Sequence, residues 1–181
     1  MNHRIVIGIL AVMIASHLLV GCDSGGRNPS PPMGTTEQQM TEQDVSTAAA
    51  MARSWRRGSR VLLIWSDREP VLVEQATIVD EAWDGWQERD LRLVLLSSRG
   101  GVEAERFVDG GPVGPSFDRG VAVAISDRFD LDPGAADISV ALVGKDGGVK
   151  ERWTETVSTS VIFDLVDSMP MRRQEMSEDA D

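Results

Sequence analysis

The sequence predicts an α/β domain, and three observations carry that reading. Two continuous apolar runs, VLLIW at residues 61–65 and LRLVLLSS at 91–98, have the composition of parallel strands covered on both faces. Between them, residues 71–88 place Leu72, Ala76, Val79, Trp83 and Trp86 at alternating four- and three-residue steps, the spacing of a single apolar helix face. A strand, a crossover helix and a second strand make a right-handed βαβ unit. Finally, from Ile138 to Trp153 two apolar stretches flank Asp146 and Gly147, residues that tolerate positive φ in a tight turn, which reads as an antiparallel hairpin.

Taken in order, residues 1–21 have the form of an export signal, with Arg4, an apolar run and small residues at its end. The run is interrupted by His17 and is shorter than the roughly 20 residues a bilayer span needs. Its end, Leu19, Val20, Gly21 and Cys22, resembles the bacterial lipobox, in which the cysteine sulfur receives a diacylglycerol before cleavage. The alternative is an ordinary signal that a cysteine happens to follow. The lipobox implies that Cys22 is a lipid-bearing thioether, since two or more acyl chains hold a protein on a membrane where one does not. The expected contact is then membrane lipid through acylated Cys22, in the cell envelope facing the periplasm, and Asp23 leans toward the inner membrane. Residues 22–43, rich in Gly, Pro, Ser, Thr and Gln, read as a flexible tether with an r.m.s. reach of roughly 25 Å.

The domain is expected over residues 44–176, followed by an acidic tail at 177–181. It opens with a helix that carries Val45, Ala48, Ala52 and Trp55 on one face and stops at Gly58. Arg53, Arg56, Arg57 and Arg60 near its end either solvate the helix and complement its dipole or touch anionic lipid head groups. After the first strand, Pro70 suits the start of the helix over 71–88. Residues 99–118 are rich in Gly and Pro and read as a loop with an extended piece around VEAERFV. A helix over GVAVAISDRFDLD uses Val121, Ala124, Ile125 and Phe129, and the hairpin comes next. A last helix, capped by Ser158, carries Val161, Ile162, Leu165, Val166 and Met169 and is ended or kinked at Pro170.

Composition excludes more than it assigns. The 181-residue chain has one cysteine, Cys22, and two histidines, His3 and His17, so nothing after Cys22 supplies either residue type. His and thiolate zinc sites, a Ser-His-Asp triad, a Cys-His pair and dithiol exchange are therefore closed to the domain. The net charge of −11 gives no overall basic footprint for nucleic acid and serves solubility. No cofactor is expected.

The element order, helix then β, α, β, α, β, β, α with the parallel pair first and the hairpin last, resembles the thioredoxin-like fold in three layers. The stretches VGKDGGVK at 143–150 and FDLVDSMPMRRQEM at 163–176 resemble the signature of a bacterial domain-of-unknown-function family with that fold. The resemblance spans roughly Arg60 to Met176 and implies a fold and a place, with no activity to transfer. Where thioredoxins have Cys-x-x-Cys, this chain has WSDREP at 65–70, and nothing there ionises as a thiolate. The cis-proline usual before the third core strand is replaced by Ala136 and Asp137.

Several polar groups remain as candidates. Ser66, Asp67, Arg68 and Glu69 follow a parallel strand, where open α/β sheets hold ligands, or else they simply cap the loop. Arg172 and Arg173 either hold an anion by forked hydrogen bonds or pin the C-terminal segment to acidic surface groups. Asp127, Asp130, Asp132 and Asp137 do not have the alternating spacing of a calcium loop and read as helix solvation and a turn around Pro133 and Gly134. Lys145 and Lys150, in the hairpin, are expected to face water. The leading expectation is a non-catalytic binding or assembly module with a protein partner in the envelope. The alternative is an enzyme using carboxylate or Arg chemistry at Ser66 to Glu69.

Overall fold

The computed structural model describes residues 40–132 and 136–178. The leader, Cys22, the tether up to residue 39, Pro133 and Gly134 of the expected turn, and the last three residues of the tail lie outside them.

The first helix, α1 (Glu42–Trp55), starts at a capping box, in which Asp44 N–H donates to Thr41 Oγ1 and Thr41 N–H donates to the Asp44 carboxylate. Ala48, Ala52 and Trp55 are buried as expected, whereas Val45 is 48% exposed. The helix stops before Gly58. Arg57, not the glycine, takes the left-handed conformation at φ 69°, held there by its N–H bond to the Lys145 carbonyl at 2.7 Å.

Strand β1 (Arg60–Trp65) is the centre of the architecture. It pairs in parallel with β2 (Leu91–Ser97), Leu63 opposite Val94, and antiparallel with β7 (Ser139–Val143), Leu63 opposite Ala141. Because a strand points alternate side chains to opposite faces, its apolar run serves two cores at once. Val61 and Leu63 pack under α1 and α4 (Arg119–Phe129) together with Trp55, Ile125 and Phe129. Leu62 and Ile64 pack under α2 (Glu69–Asp80), α3 (Trp83–Glu88) and α5 (Thr159–Ser168) together with Val79, Trp86, Ile162 and Val166. Helices thus cover both faces, as the continuous apolar runs require. Strand order around the centre is β2-β1-β7-β8, with β8 (Val149–Trp153) antiparallel to β7 across the expected hairpin, whose Gly147 has φ 83°. A parallel βαβ pair joined to an antiparallel hairpin in this order is the thioredoxin-like arrangement, and the fold class expected from the sequence is the one observed.

Two expectations need correction. The helix expected over 71–88 is two helices, α2 and α3, separated at Glu81 and Ala82. Asp80 and Glu81 disfavour the C-terminal end of one helix, and Asp84 suits the first turn of the next. Apolar phase is kept across the break, so Trp86 reaches the core fully buried, while Leu72 and Trp83 are only partly covered. The segment 99–118 has the extended piece expected around VEAERFV, but most of the rest is strand as well rather than loop. It forms β3 (Gly100–Ala104), β4 (Arg106–Val108), β5 (Gly111–Val113) and β6 (Ser116–Phe117). β3 and β6 extend the sheet beyond β2, while β4 and β5 form a separate ribbon. Its glycines permit close backbone approach: Gly100 sits at φ 136°, where a side chain would also meet the Phe117 carbonyl oxygen.

One buried polar contact ties the layers. The Gln75 side chain, fully buried on α2, donates to the Val157 carbonyl at 2.9 Å and accepts the Val157 N–H at 2.7 Å. It satisfies both backbone groups of the segment leading to α5, whose first turn Ser158 caps as expected. Pro170 ends α5 and opens a further helix, α6 (Pro170–Glu178).

Burial decides which tryptophan matters. Trp86→Ala, at 0% exposure, should cost about 3–5 kcal/mol in denaturant unfolding. Trp83→Ala should cost less, and Glu74→Ala on the exposed face should cost under about 0.5 kcal/mol.

Candidate functional site

Ser66 to Glu69 leave β1 at its carboxyl end, beside the end of β2, which is where the parallel pair would present a ligand. The bonds made there are internal. Ser66 is fully buried; its hydroxyl donates to the Asp137 carbonyl at 2.6 Å and accepts the Arg68 N–H at 3.0 Å. The Asp67 carboxylate accepts the Ser98 N–H at 2.7 Å, fastening the end of β1 to the turn after β2. The Arg68 guanidinium pairs with the Asp137 carboxylate, whose pKa the bond from Arg68 holds below the ordinary 3.8. Glu69 is exposed on the first turn of α2. The four candidates stand together, but three of them are spent on joining β1, β2 and the start of β7. The serine proton is already given to a carbonyl, an acceptor that cannot serve as a general base.

Arg172 and Arg173 lie elsewhere, on α6 by the amino end of β1, and the two do different things. Arg173 is exposed. Arg172 is buried, and its fork is filled: Nη2 donates to Glu88 at 3.1 Å, Nε to Asp167 at 3.4 Å, and Glu175 is 3.8 Å from Nη1. Of the two readings of this pair, the geometry of Arg172 is that of the second: it pins α6 to carboxylates of the domain itself, and its fork has no room left for an external anion.

Around that pin sits a charge cluster that sequence reading missed. Arg60, the first residue of β1, is 1% exposed. Its guanidinium donates to the Arg89 carbonyl at 2.9 Å and to both oxygens of Glu175 at 3.2 Å. Lys145, expected in water, is turned inward at 9% exposure and donates to Glu175 and Asp90, each at 2.7 Å. Arg89 binds Asp167 at 2.7 and 3.0 Å and lies over the Phe163 ring. Burial pushes the Glu175 carboxyl up, but Lys145 and Arg60 outweigh it and the net direction is down from 4.5. Burial likewise raises Asp167, and Arg89 and Arg172 bring it below 3.8. The only sequence signal for this cluster was the basic residue opening an apolar strand, Arg60, and the pairing partners are too distant in the chain to be read.

Among the described residues no group of three or more acidic side chains is placed to hold a metal ion, and Asp137 is engaged by Arg68. An open hollow at the α2–α3 break, lined by Asp80, Glu81, Trp83, Asp84 and Phe163 among others, carries acids beside aromatic rings.

Comparison with known proteins bears on this geometry. The family model "Domain of unknown function (DUF4174)" matches residues 52–175. A curated relative, coiled-coil domain-containing protein 80 of Danio rerio, is 52% identical over 54 residues, and the chain spans only 6% of that relative's length. Among solved structures, a reduced 2-Cys peroxiredoxin of Plasmodium vivax is similar at 15% identity and TM-score 0.47, covering 67% of this chain and 71% of that one. Thioredoxin peroxidase I of Plasmodium yoelii is similar at 16% identity and TM-score 0.44, covering 67% and 79%. The strand order and connections, rather than these likenesses, assign the fold.

Two outcomes follow from the bonding. Ser66→Ala removes a buried hydroxyl that bonds the Asp137 carbonyl and the Arg68 N–H and should cost about 1–3 kcal/mol, whereas Arg68→Ala, removing an exposed pair, should cost under about 1 kcal/mol, both by denaturant unfolding. Glu175 and Asp167 have folded pKa values below their ordinary 4.5 and 3.8, so the stability they contribute is present above those values. It is lost as pH falls through the folded ones. Unfolding free energy should drop from about pH 4.5 downward, and Asp167→Asn should flatten that slope.

Proposed function

The chain belongs to the DUF4174 family, and we propose that it is a lipid-anchored, redox-inactive binding or assembly module of the cell envelope. The observation that carries this reading is the state of the β1–α2 loop. In the thioredoxin-like plan that loop presents the reactive group, and here Ser66, Asp67 and Arg68 are consumed by Asp137 and Ser98. No cysteine or histidine follows Cys22 in the sequence, so neither thiolate exchange nor imidazole base catalysis has a group to use.

The anchor is supported by the sequence alone, through the apolar leader and the Leu-Val-Gly-Cys end at Cys22. Among the described residues no helix is long and apolar enough to cross a membrane. Attachment through acylated Cys22, with a tether ahead of α1, places the domain near the lipid without a span, facing the periplasm, and Asp23 favours the inner membrane. In this reading, Arg53, Arg56 and Arg57, exposed at the end of α1, solvate that corner. A protein partner in the envelope is what a domain with this closed loop would serve.

Membrane fractionation of the full chain tests the anchor, and a disulfide assay tests the chemistry. Cys22→Ser should release the protein from the membrane or leave it unprocessed; normal processing with tight retention would sink the anchor. The wild-type protein should not reduce an insulin-type disulfide substrate above a no-protein control, because exchange needs an attacking thiolate. Turnover of any substrate that disappears on Asp67→Ala with the fold intact would make the protein an enzyme instead.

A further inference from the structure

The helix α6 is attached in an unusual way. Its only buried residue is Arg172, and Met171 and Met176 are left 49% and 38% exposed, so apolar burial contributes little to its docking. What holds it are ion pairs, Arg172 to Glu88 and Asp167, and Glu175 to Arg60 and Lys145. It joins α5 through Met169 and Pro170, where the backbone is extended and the proline interrupts helical hydrogen bonding. A short polar helix on a proline joint can leave as a unit.

The two ends of this attachment differ in what they leave behind. Without α6, Arg89 still pairs with Asp167, and Glu88 is exposed to water. At the other end Arg60 and Lys145 would share only the Asp90 carboxylate, which bonds Lys145 alone. Arg60, shielded to 1% exposure while α6 is docked, then loses its carboxylate partner and stands open to another anion. Glu175 meets that need with geometry a free ligand would also use: Arg60 Nη2 reaches both carboxylate oxygens at 3.2 Å, and Lys145 Nζ reaches one at 2.7 Å.

We propose that the Arg60–Lys145 cradle is a carboxylate-binding site filled in this structure by the chain's own Glu175, and that α6 is a displaceable strap which an acidic peptide side chain replaces. This deepens the binding-module reading and rests on it for the role of the peptide, while the site itself does not depend on Cys22. The internal carboxylate competes with any external one, so wild-type affinity is reduced by the fraction of time that the strap is closed.

The test has two arms, both on the full chain in neutral detergent at matched ionic strength. For Glu175→Ala, acetate should raise the melting temperature relative to chloride, with at least a tenfold weaker response in wild type on the population argument. An equal response of both proteins to acetate overturns the site. In wild type, amide hydrogen exchange across α6 should accelerate several-fold with triglutamate and not with triglutamine or acetate alone. Unchanged exchange with triglutamate overturns the displaceable strap, and acceleration by acetate equal to that by triglutamate overturns the peptide as its occupant. If Glu175→Ala does not fold, the exchange arm alone decides. Because neither arm involves membrane attachment, a failed lipid anchor leaves both readouts intact.

Discussion

A guanidinium with almost no exposure stands at the start of the central strand, and much of the amino end of the sheet is arranged to meet it. Arg60 begins β1, whose next four residues are apolar and buried on both faces, so its backbone has no freedom to carry the side chain out to water. The charge must therefore be matched inside. The Arg89 carbonyl and the Glu175 carboxylate supply the match, and Lys145, which shares Glu175, is met in turn by Asp90. Once Glu175 is required there, α6 must lie against the strand ends, and Arg172 on the same helix is brought to Glu88 and Asp167. A packing constraint on one strand thus sets where the last helix docks.

The opposite end of the same strand obeys a different constraint. There the chain leaves β1 with Ser66 still fully buried, and a buried hydroxyl must be bonded at both its donor and acceptor sides. The Asp137 carbonyl and the Arg68 N–H do so, and Asp67 reaches to the turn after β2. These contacts make the loop a clasp among three strands. A nucleophile placed at that point would need an adjacent base and an exposed face, and the clasp provides neither.

How much of this was legible depends on the range of the interaction. VLLIW and LRLVLLSS announced β1 and β2 because burial on both faces leaves a continuous apolar run that no local choice disguises. The hairpin was equally plain, since the turn signal Asp146-Gly147 lies between two apolar stretches and Gly147 takes the positive φ there. The α2–α3 break was not, because the apolar phase from Val79 to Trp86 runs through it. Beyond the extended piece around VEAERFV, residues 99–118 read as a loop because glycine and proline are common in loops, whereas Gly100 is needed for close strand approach. The charge cluster lay furthest from view. Arg60 and Glu175 are 115 residues apart and Lys145 and Asp90 are 55 apart, so each looked like an ordinary surface charge. Of the candidate loop, the place of Ser66 to Glu69 after β1 was legible, but its internal bonding depends on Asp137 and Ser98, which only the fold brings near.

Glu175 is the point at which stability and binding become the same question. A carboxylate held between Arg60 and Lys145 lowers the cost of burying both cations, and hydrogen bonds to charged groups are worth more than those between neutral ones, about 1.5–3 kcal/mol. Such a gain is local to one helix, since α6 buries no apolar side chain of its own that would add to it. The domain core, built on β1, β2 and β7 with helices on both faces, does not depend on α6 for its apolar packing. Opening of α6 is therefore separable from global unfolding, as sub-global openings with few buried apolar contacts generally are. The same separation lets a buried ion pair act at a displaceable contact: the cations stay fixed by the sheet, and only the anion has a choice of source.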